Sequence, residues 1–91
     1  MSAEFPRGSA PSVAKPFRFQ WEEAQDCFVL LYPEGMVKLN TAAGEILKRC
    51  DGQRTVDEII SELEDQFAVP DLANDVLEFF VEADGKGWIS T

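Results

Sequence analysis

Residues 27–39, CFVLLYPEGMVKL, contain the stretch that decides the fold. Its first six residues form a continuous apolar run of the kind that suits a pleated surface, and they predict a central β-strand. Pro33 presets the backbone angle of the second turn position and Gly35 suits the fourth, so Tyr32 to Gly35 is predicted to reverse the chain as a type I turn. Met36 to Leu39 is then predicted to return as a neighbouring strand.

The sequence before this hairpin divides into a strand and a tail. Residues 17–21, FRFQW, alternate apolar and polar side chains, which predicts a strand with one buried face and completes a three-stranded antiparallel sheet. Residues 1–16 have three prolines and no apolar period, so we predict a flexible N-terminal tail. A tail of this composition needs a surface to lie on before it becomes ordered, which favours contact with a neighbouring chain.

Two helices are predicted directly after the hairpin. Asn40 and Thr41 can cap a short first helix, which ends before Gly52. Thr55 and Glu58 have the spacing of a capping box and start the second helix, which Pro70 breaks. The predicted class is therefore α+β, with a three-stranded antiparallel sheet followed by three helices in a winged helix-turn-helix-like arrangement.

The third helix is predicted over Leu72 to Ala83, with Asp71 as its cap, and its apolar face is unusually wide. At about 100° per residue the apolar side chains spread over roughly 200° of the helix, more than packing on one sheet requires. Either the core encloses the whole face, or part of it, around Leu77 and Phe80, lines an open groove. The apolar residues are Leu72, Ala73, Val76, Leu77, Phe79, Phe80, Val81 and Ala83.

The charge of the chain argues against nucleic acid and anionic lipid as partners. The chain has seventeen acidic and eight basic residues, which gives a formal net charge of -9. Eleven of the acidic residues lie in the segment from Asp51 to Asp84, where Arg54 is the single basic residue. The third helix has no Arg or Lys with which to contact phosphate or guanine. Its polar positions are Asn74, Asp75, Glu78 and Glu82.

Catalytic and metal chemistry find little support in the sequence. The chain has no histidine, and Cys27 and Cys50 are too far apart for a CxxC pair, so we predict no catalytic residues, no metal site and no cofactor. Both cysteines are expected to be small buried apolar residues. No apolar run approaches the ~18 residues of a membrane span, and we expect a soluble cytoplasmic protein.

Three short motifs occur in a fixed order along the chain, LLYPEG at 30–35, KLN at 38–40 and CDG at 50–52, and they are followed by Ile59, Leu63, Asp75, Val76, Phe79, Gly87 and Trp88. This order of motifs resembles the PqqD family of pyrroloquinoline quinone biosynthesis. The resemblance covers the chain from about Phe17 to its end, so residues 17–91 are predicted to form a PqqD-like peptide-binding domain.

The resemblance implies a non-catalytic peptide chaperone. Members of the family bind the precursor peptide PqqA and deliver it to the radical SAM enzyme PqqE, which joins a glutamate and a tyrosine side chain of that peptide. In such domains the leader segment adds as an extra strand beside the third strand and lies in a groove against the third helix. PqqA and PqqE are therefore the expected partners.

The residues themselves favour a compatible binding mode. An edge strand offers unpaired amides and carbonyls to an extended peptide, and apolar pockets beside it sort the side chains. Replacing Val37 by proline is expected to weaken binding if the Val37 amide faces the free edge. The predicted peptide-binding residues are Met36, Val37, Lys38, Leu39, Asp75, Leu77, Glu78, Phe80 and Val81, with Glu82 as a further acidic contact.

A structural protein is the alternative function. In that case the N-terminal tail and the apolar strand at 27–32 form a homodimer, and peptide binding is absent. A homodimer also remains possible for a peptide chaperone.

Overall fold

The structure, a computed structural model, describes residues 4–91 and contains a three-stranded antiparallel sheet, three helices and a pair of very short strands. The predicted sheet and the three predicted helices are confirmed. In chain order the elements are β1 (Ser12–Val13), β2 (Arg18–Glu22), β3 (Cys27–Tyr32), β4 (Gly35–Lys38), α1 (Thr41–Lys48), α2 (Val56–Phe67), α3 (Ala73–Gly85) and β5 (Ile89–Ser90).

The sheet has β3 at its centre and β4 at one edge. Leu30 pairs with Phe19 of β2 and with Val37 of β4, and Tyr32 pairs with Gly35 across the predicted turn. Because side chains alternate along a strand, the Leu30 face of the sheet points into the core and the other face points away from the helices.

The core lies between the inner face of the sheet and the three helices. Its largest fully buried members come from several elements, so the helices are held by shared packing rather than by any one pair of contacts. They include Leu30, Leu47, Val56, Ile59 and Phe80. Within residues 4–91, no helix combines the length and the apolar character needed to cross a bilayer.

The first two helices begin at the predicted caps. The Asn40 side chain accepts a hydrogen bond from the Ala43 amide at 2.8 Å, and Thr55 and Glu58 make both bonds of the capping box. These bonds satisfy backbone amides that would otherwise have no partner in the first turn of each helix.

The predicted cap of α3 is wrong. Asp71 has a left-handed backbone with φ of 61°, and the residue at the N-cap position is Leu72, whose side chain makes no capping hydrogen bond. The Leu72 amide instead donates to a carboxylate oxygen of Glu64 on α2, at 3.0 Å. A cap supplied by another helix has no signature in the local sequence.

The segment before β2 lies against its own domain, although the sequence predicts a flexible tail. Val13 pairs with Ile89, which joins β1 to β5, and Pro11 is fully buried. The apolar residues that pack this segment onto the domain are isolated and irregularly spaced, so no periodic pattern in the sequence predicts their burial. We call residues 5–14 the N-terminal strap. Contact with a neighbouring chain stays a prediction.

Candidate functional site

A groove of about 660 Å³ opens between the end of β4, the start of α1, the end of α2 and the length of α3. Residues from all four elements line it. They are Lys38, Leu39, Asn40, Thr41, Ala42, Ala43, Ile46, Leu63, Phe67, Val69, Leu72, Asp75, Val76, Phe79, Glu82, Ala83 and Trp88.

Apolar side chains form most of the groove. Leu39, Leu63 and Val76 belong to the buried core and form its deeper wall. Phe67 and Val69, near the end of α2, are 42% and 44% exposed, and they extend the apolar lining out to the surface. The groove therefore suits apolar side chains of a bound molecule.

The charged residues of the groove lie on different elements. Lys38 ends β4, whereas Asp75 and Glu82 lie seven residues apart on α3, which places them on one helix face two turns apart. The groove therefore combines a basic residue from the sheet edge with acidic residues from the helix.

The free edge of β4 has a defined hydrogen-bonding pattern. The Leu39 amide donates to the Phe28 carbonyl at 3.0 Å, and residues of an antiparallel strand alternate between pointing at the neighbour and pointing away. Val37, two residues earlier and paired with Leu30, therefore points its amide and carbonyl at β3. The backbone groups of Met36 and Lys38 point to the free edge, beside the groove.

The groove contains only some of the predicted peptide-binding residues. Lys38, Leu39 and Asp75 line it, and Val37 is half-buried against the core. Three further predicted residues are exposed, but they do not line the groove. These are Met36, Glu78 and Val81.

Leu77 and Phe80 are predicted to bind the peptide in the groove, but neither of them lines it. They are 7% and 0% exposed, respectively, and belong to the buried core instead of lining the groove. The N-terminal strap contributes to the burial of Phe80, since Phe5 stacks on it with ring centroids 5.3 Å apart. The face of α3 that is open to the groove is the neighbouring one. It consists of Leu72, Asp75, Val76, Phe79, Glu82 and Ala83.

Sequence reasoning missed the aromatic side chains of the groove. Phe79 and Trp88 line it with ring centroids 6.4 Å apart, and Phe67 lies at the end of α2. The sequence does contain a signal for the α3 face, since Leu72, Val76, Phe79 and Ala83 recur at helical spacing. It contains no signal for which part of the wide apolar face the strap leaves open.

The cysteines supply no reactive group to the groove. Burial raises the pKa of the Cys50 thiol to about 12, with the nearby Asp51 charge adding to the effect, and its Sγ lies 3.3 Å from the Ile46 carbonyl. A thiol held protonated is a poor nucleophile. Cys27 is half-buried on β3 and lies outside the groove lining. In the described part of the chain, no three His, Cys, Asp or Glu residues form a group that suits a metal ion.

Sequence comparison associates the chain with one family. The family model described as coenzyme PQQ synthesis protein D (PqqD) matches residues 27–89. The PqqA binding protein of Pseudomonas aeruginosa (strain UCBPP-PA14) is 54% identical over 82 residues, 89% of either chain. The PqqA binding protein of Azotobacter vinelandii (strain DJ / ATCC BAA-1303) is 50% identical over 80 residues, 87% of either chain.

Structural comparison agrees with the sequence. The fold matches, with a TM-score of 0.77 and 25% identity, a solution NMR structure of the PqqD truncation of Methylobacterium extorquens PqqCD. The match covers 98% of this chain and 97% of that one. That protein is described as a functional, stand-alone recognition element for ribosomally synthesized and post-translationally modified peptides.

Proposed function

Because the chain belongs to the PqqD family, we propose that it is a non-catalytic peptide chaperone of pyrroloquinoline quinone biosynthesis, which binds the precursor peptide PqqA and presents it to the radical SAM enzyme PqqE. The names of the relatives support PqqA as the peptide. The observation that carries the proposal is the position of the groove beside the free edge of β4.

In the proposed mode, the leader segment of PqqA adds as a fourth strand beside β4. Its backbone pairs with the outward-facing groups of Met36 and Lys38, which supplies affinity with little dependence on sequence. Alternate side chains of an extended peptide point to the same face, so every second leader residue enters the groove. The apolar lining then selects large apolar side chains at those positions.

Proline substitutions along β4 test this mode. Met36→Pro removes an amide that faces the free edge, so it should weaken binding of a synthetic PqqA peptide at least tenfold while the chain stays folded, since edge strands tolerate proline. Met36→Ala keeps the amide and should lose much less affinity. Isothermal titration calorimetry measures the affinities, and circular dichroism checks the fold.

Val37→Pro is the contrasting substitution. Its amide points at β3, so proline there removes a hydrogen bond of the sheet and should lower the free energy of unfolding by on the order of 1–3 kcal/mol. If Met36→Pro and Met36→Ala bind the peptide equally well, the leader does not pair with the β4 edge in this register.

A further inference from the structure

We infer that the N-terminal strap is a positioning element for the aromatic wall of the groove, which we define as Phe79 and Trp88. The strap lies outside the groove lining, yet it contacts the immediate neighbours of both wall residues. The inference rests on the proposed function, because it assumes that the groove is where the peptide binds.

The first connection runs through α3. Phe5 of the strap stacks on Phe80, with ring centroids 5.3 Å apart and planes 20° from parallel. Phe80 in turn meets Phe79 edge to face, with ring centroids 5.9 Å apart. Because Phe80 is fully buried and core side chains are closely packed, loss of the Phe5 ring opens a space next to Phe80 that its neighbours must fill.

The second connection runs through the backbone of β5. The Ala14 amide of the strap donates to the Trp88 carbonyl at 2.8 Å, and Val13 pairs with Ile89. Trp88 follows the left-handed Gly87 and stands between that turn and β5. The Trp88 amide donates to the Ala83 carbonyl of α3 at 2.9 Å, so the strap and α3 together hold the backbone that carries the indole.

Between these two connections, the strap is itself fixed at the start of α2. The carbonyls of Arg7 and Ser9 accept hydrogen bonds from the Asp57 and Val56 amides, at 3.1 and 2.9 Å, and the Arg7 guanidinium pairs with the Asp57 carboxylate. These two amides belong to the first turn of α2, where helix amides have no partner within the helix. The strap thus spans the distance from the start of α2 to the aromatic wall.

If the strap orders the aromatic wall, it must dock more tightly onto its own domain when a bound peptide holds the wall in place. Linkage makes this effect reciprocal: a factor that the docked strap adds to peptide affinity is the same factor that the peptide adds to strap docking. The coupling can therefore be measured from either side.

The first experiment replaces Phe5 by alanine in a Trp21→Phe background, which leaves Trp88 as the fluorescent indole. Without peptide, Phe5→Ala should shift Trp88 emission to longer wavelength, and the affinity for synthetic PqqA should fall at least fivefold. Phe5→Leu, which fills part of the space, should restore part of both signals. Measurements are made at a temperature where every variant is fully folded.

Leu31→Ala provides the matched control. Leu31 is a partly buried apolar residue of the central strand, on the sheet face that points away from the helices, and it is not among the residues packed against the core that contains Phe80. We therefore expect its loss to destabilise the domain without loosening the strap or the wall. It should leave Trp88 emission and peptide affinity near those of the parent. An equal loss of affinity in Leu31→Ala and Phe5→Ala would mean that general destabilisation explains the effect, and it would overturn the inference.

The second experiment uses the unmodified chain. Saturating PqqA should slow hydrogen exchange of the Val56 and Asp57 amides, which the strap protects and which lie outside the groove lining, while the Gln25 and Asp26 turn amides stay unchanged. Unchanged exchange at Val56 and Asp57 together with full peptide affinity in Phe5→Ala would overturn the inference.

The two proposals fail in different ways. If the unmodified chain does not bind PqqA, the proposed function fails, and the Trp88 emission of peptide-free Phe5→Ala still decides whether the strap positions the wall. If the unmodified chain binds PqqA and the Phe5→Ala spectrum and affinity match the parent, the positioning role alone is wrong.

Discussion

Gly44 brings α1 against the central strand of the sheet. A Cβ atom at this position would lie 2.9 Å from the Phe28 ring, closer than such atoms approach in proteins, and 3.3 Å from the Phe28 Cβ, which is also a tight contact. The glycine is thus needed for space and not for its backbone freedom. It sets the distance between α1 and β3, and so the position of the groove residues at the start of α1.

We expect Gly44→Ala to lower the free energy of unfolding by about 1–3 kcal/mol, because the packed helix and sheet must move apart. Gly85→Ala is the matched control, since a Cβ there meets nothing within 4 Å at the end of α3, and it should be neutral or stabilise by up to about 1 kcal/mol. Chemical unfolding followed by circular dichroism measures both. Equal stability of the two variants would show that α1 relaxes without cost.

Glu45 belongs to a cluster of side chains that joins α1 to α2. The Arg49 guanidinium donates to the Glu45 carboxylate at 3.0 Å and to Glu62 at 3.3 Å, and it also contacts Gln66. The hydrogen bond from Arg49 is the main reason why the pKa of Glu45 lies below its ordinary value of 4.5, while partial burial acts in the opposite direction.

This pKa direction predicts how stability depends on pH. A carboxyl whose pKa is lower in the folded state stabilises the fold above its ordinary value and loses that contribution as the pH falls through the folded-state pKa. The difference in unfolding free energy between the parent and Glu45→Gln should therefore be constant from pH 7 to about pH 5 and shrink toward pH 3. A difference that grows on acidification would contradict the assigned direction.

At the scale of elements, α2 depends on bonds made at its first turn. Thr55 accepts the Glu58 amide, and the strap carbonyls accept the Val56 and Asp57 amides. We expect Thr55→Ala to lower the free energy of unfolding by about 1 kcal/mol, and Thr55→Ser to restore most of the loss because serine keeps the hydroxyl. Thermal unfolding of the three chains checks this expectation, which is wrong if alanine and serine are equally destabilising.

The elements that the sequence predicts well are those whose signals are local. The capping box at Thr55, the Asn40 cap and the strand β2 each depend on residues close together in the sequence, and each is confirmed. The predicted buried face of β2 is wrong at its end, since Trp21 is 45% exposed. The hairpin at Tyr32 to Gly35 belongs to the same group.

The elements that the sequence misses depend on distant partners. β1 and β5 have two residues each and lie at opposite ends of the described chain, so neither has a period to detect. Most of the wide apolar face of α3 lies in the core or the groove lining, whereas Val81 is 44% exposed and lies in neither. The division of this face between core and groove depends on packing by distant residues such as Phe5. This is why Leu77 and Phe80 were expected at the groove and lie in the core.

At the scale of the whole molecule, the net charge of -9 is concentrated in the helical half. The acidic groove residues Asp75 and Glu82 lie within this negative field. Such a field raises the rate at which a basic peptide segment meets the groove, and added salt screens it over about 10 Å at 0.1 M.

We expect the association rate of a leader peptide with basic residues at one end to fall several-fold between about 20 and 300 mM NaCl, with little change in dissociation. The Asp75→Asn, Glu82→Gln double variant should show a shallower salt dependence, whereas Glu58→Gln, outside the groove, should resemble the parent. Stopped-flow fluorescence measures the rates. An association rate that rises with salt would rule out electrostatic attraction by these residues.

The pairing of β1 with β5 has a consequence for how this domain is joined to other proteins. Ser90 lies opposite Ser12, so a flexible linker fused after Thr91 leaves the domain beside this strand pair, next to Trp88. A linker fused to the amino end leaves instead from the Phe5 end of the strap, because residues 5–11 are themselves packed on the domain. The two gene orders therefore start a tethered enzyme from different places, and its effective concentration at the groove depends on linker polarity as well as on linker length.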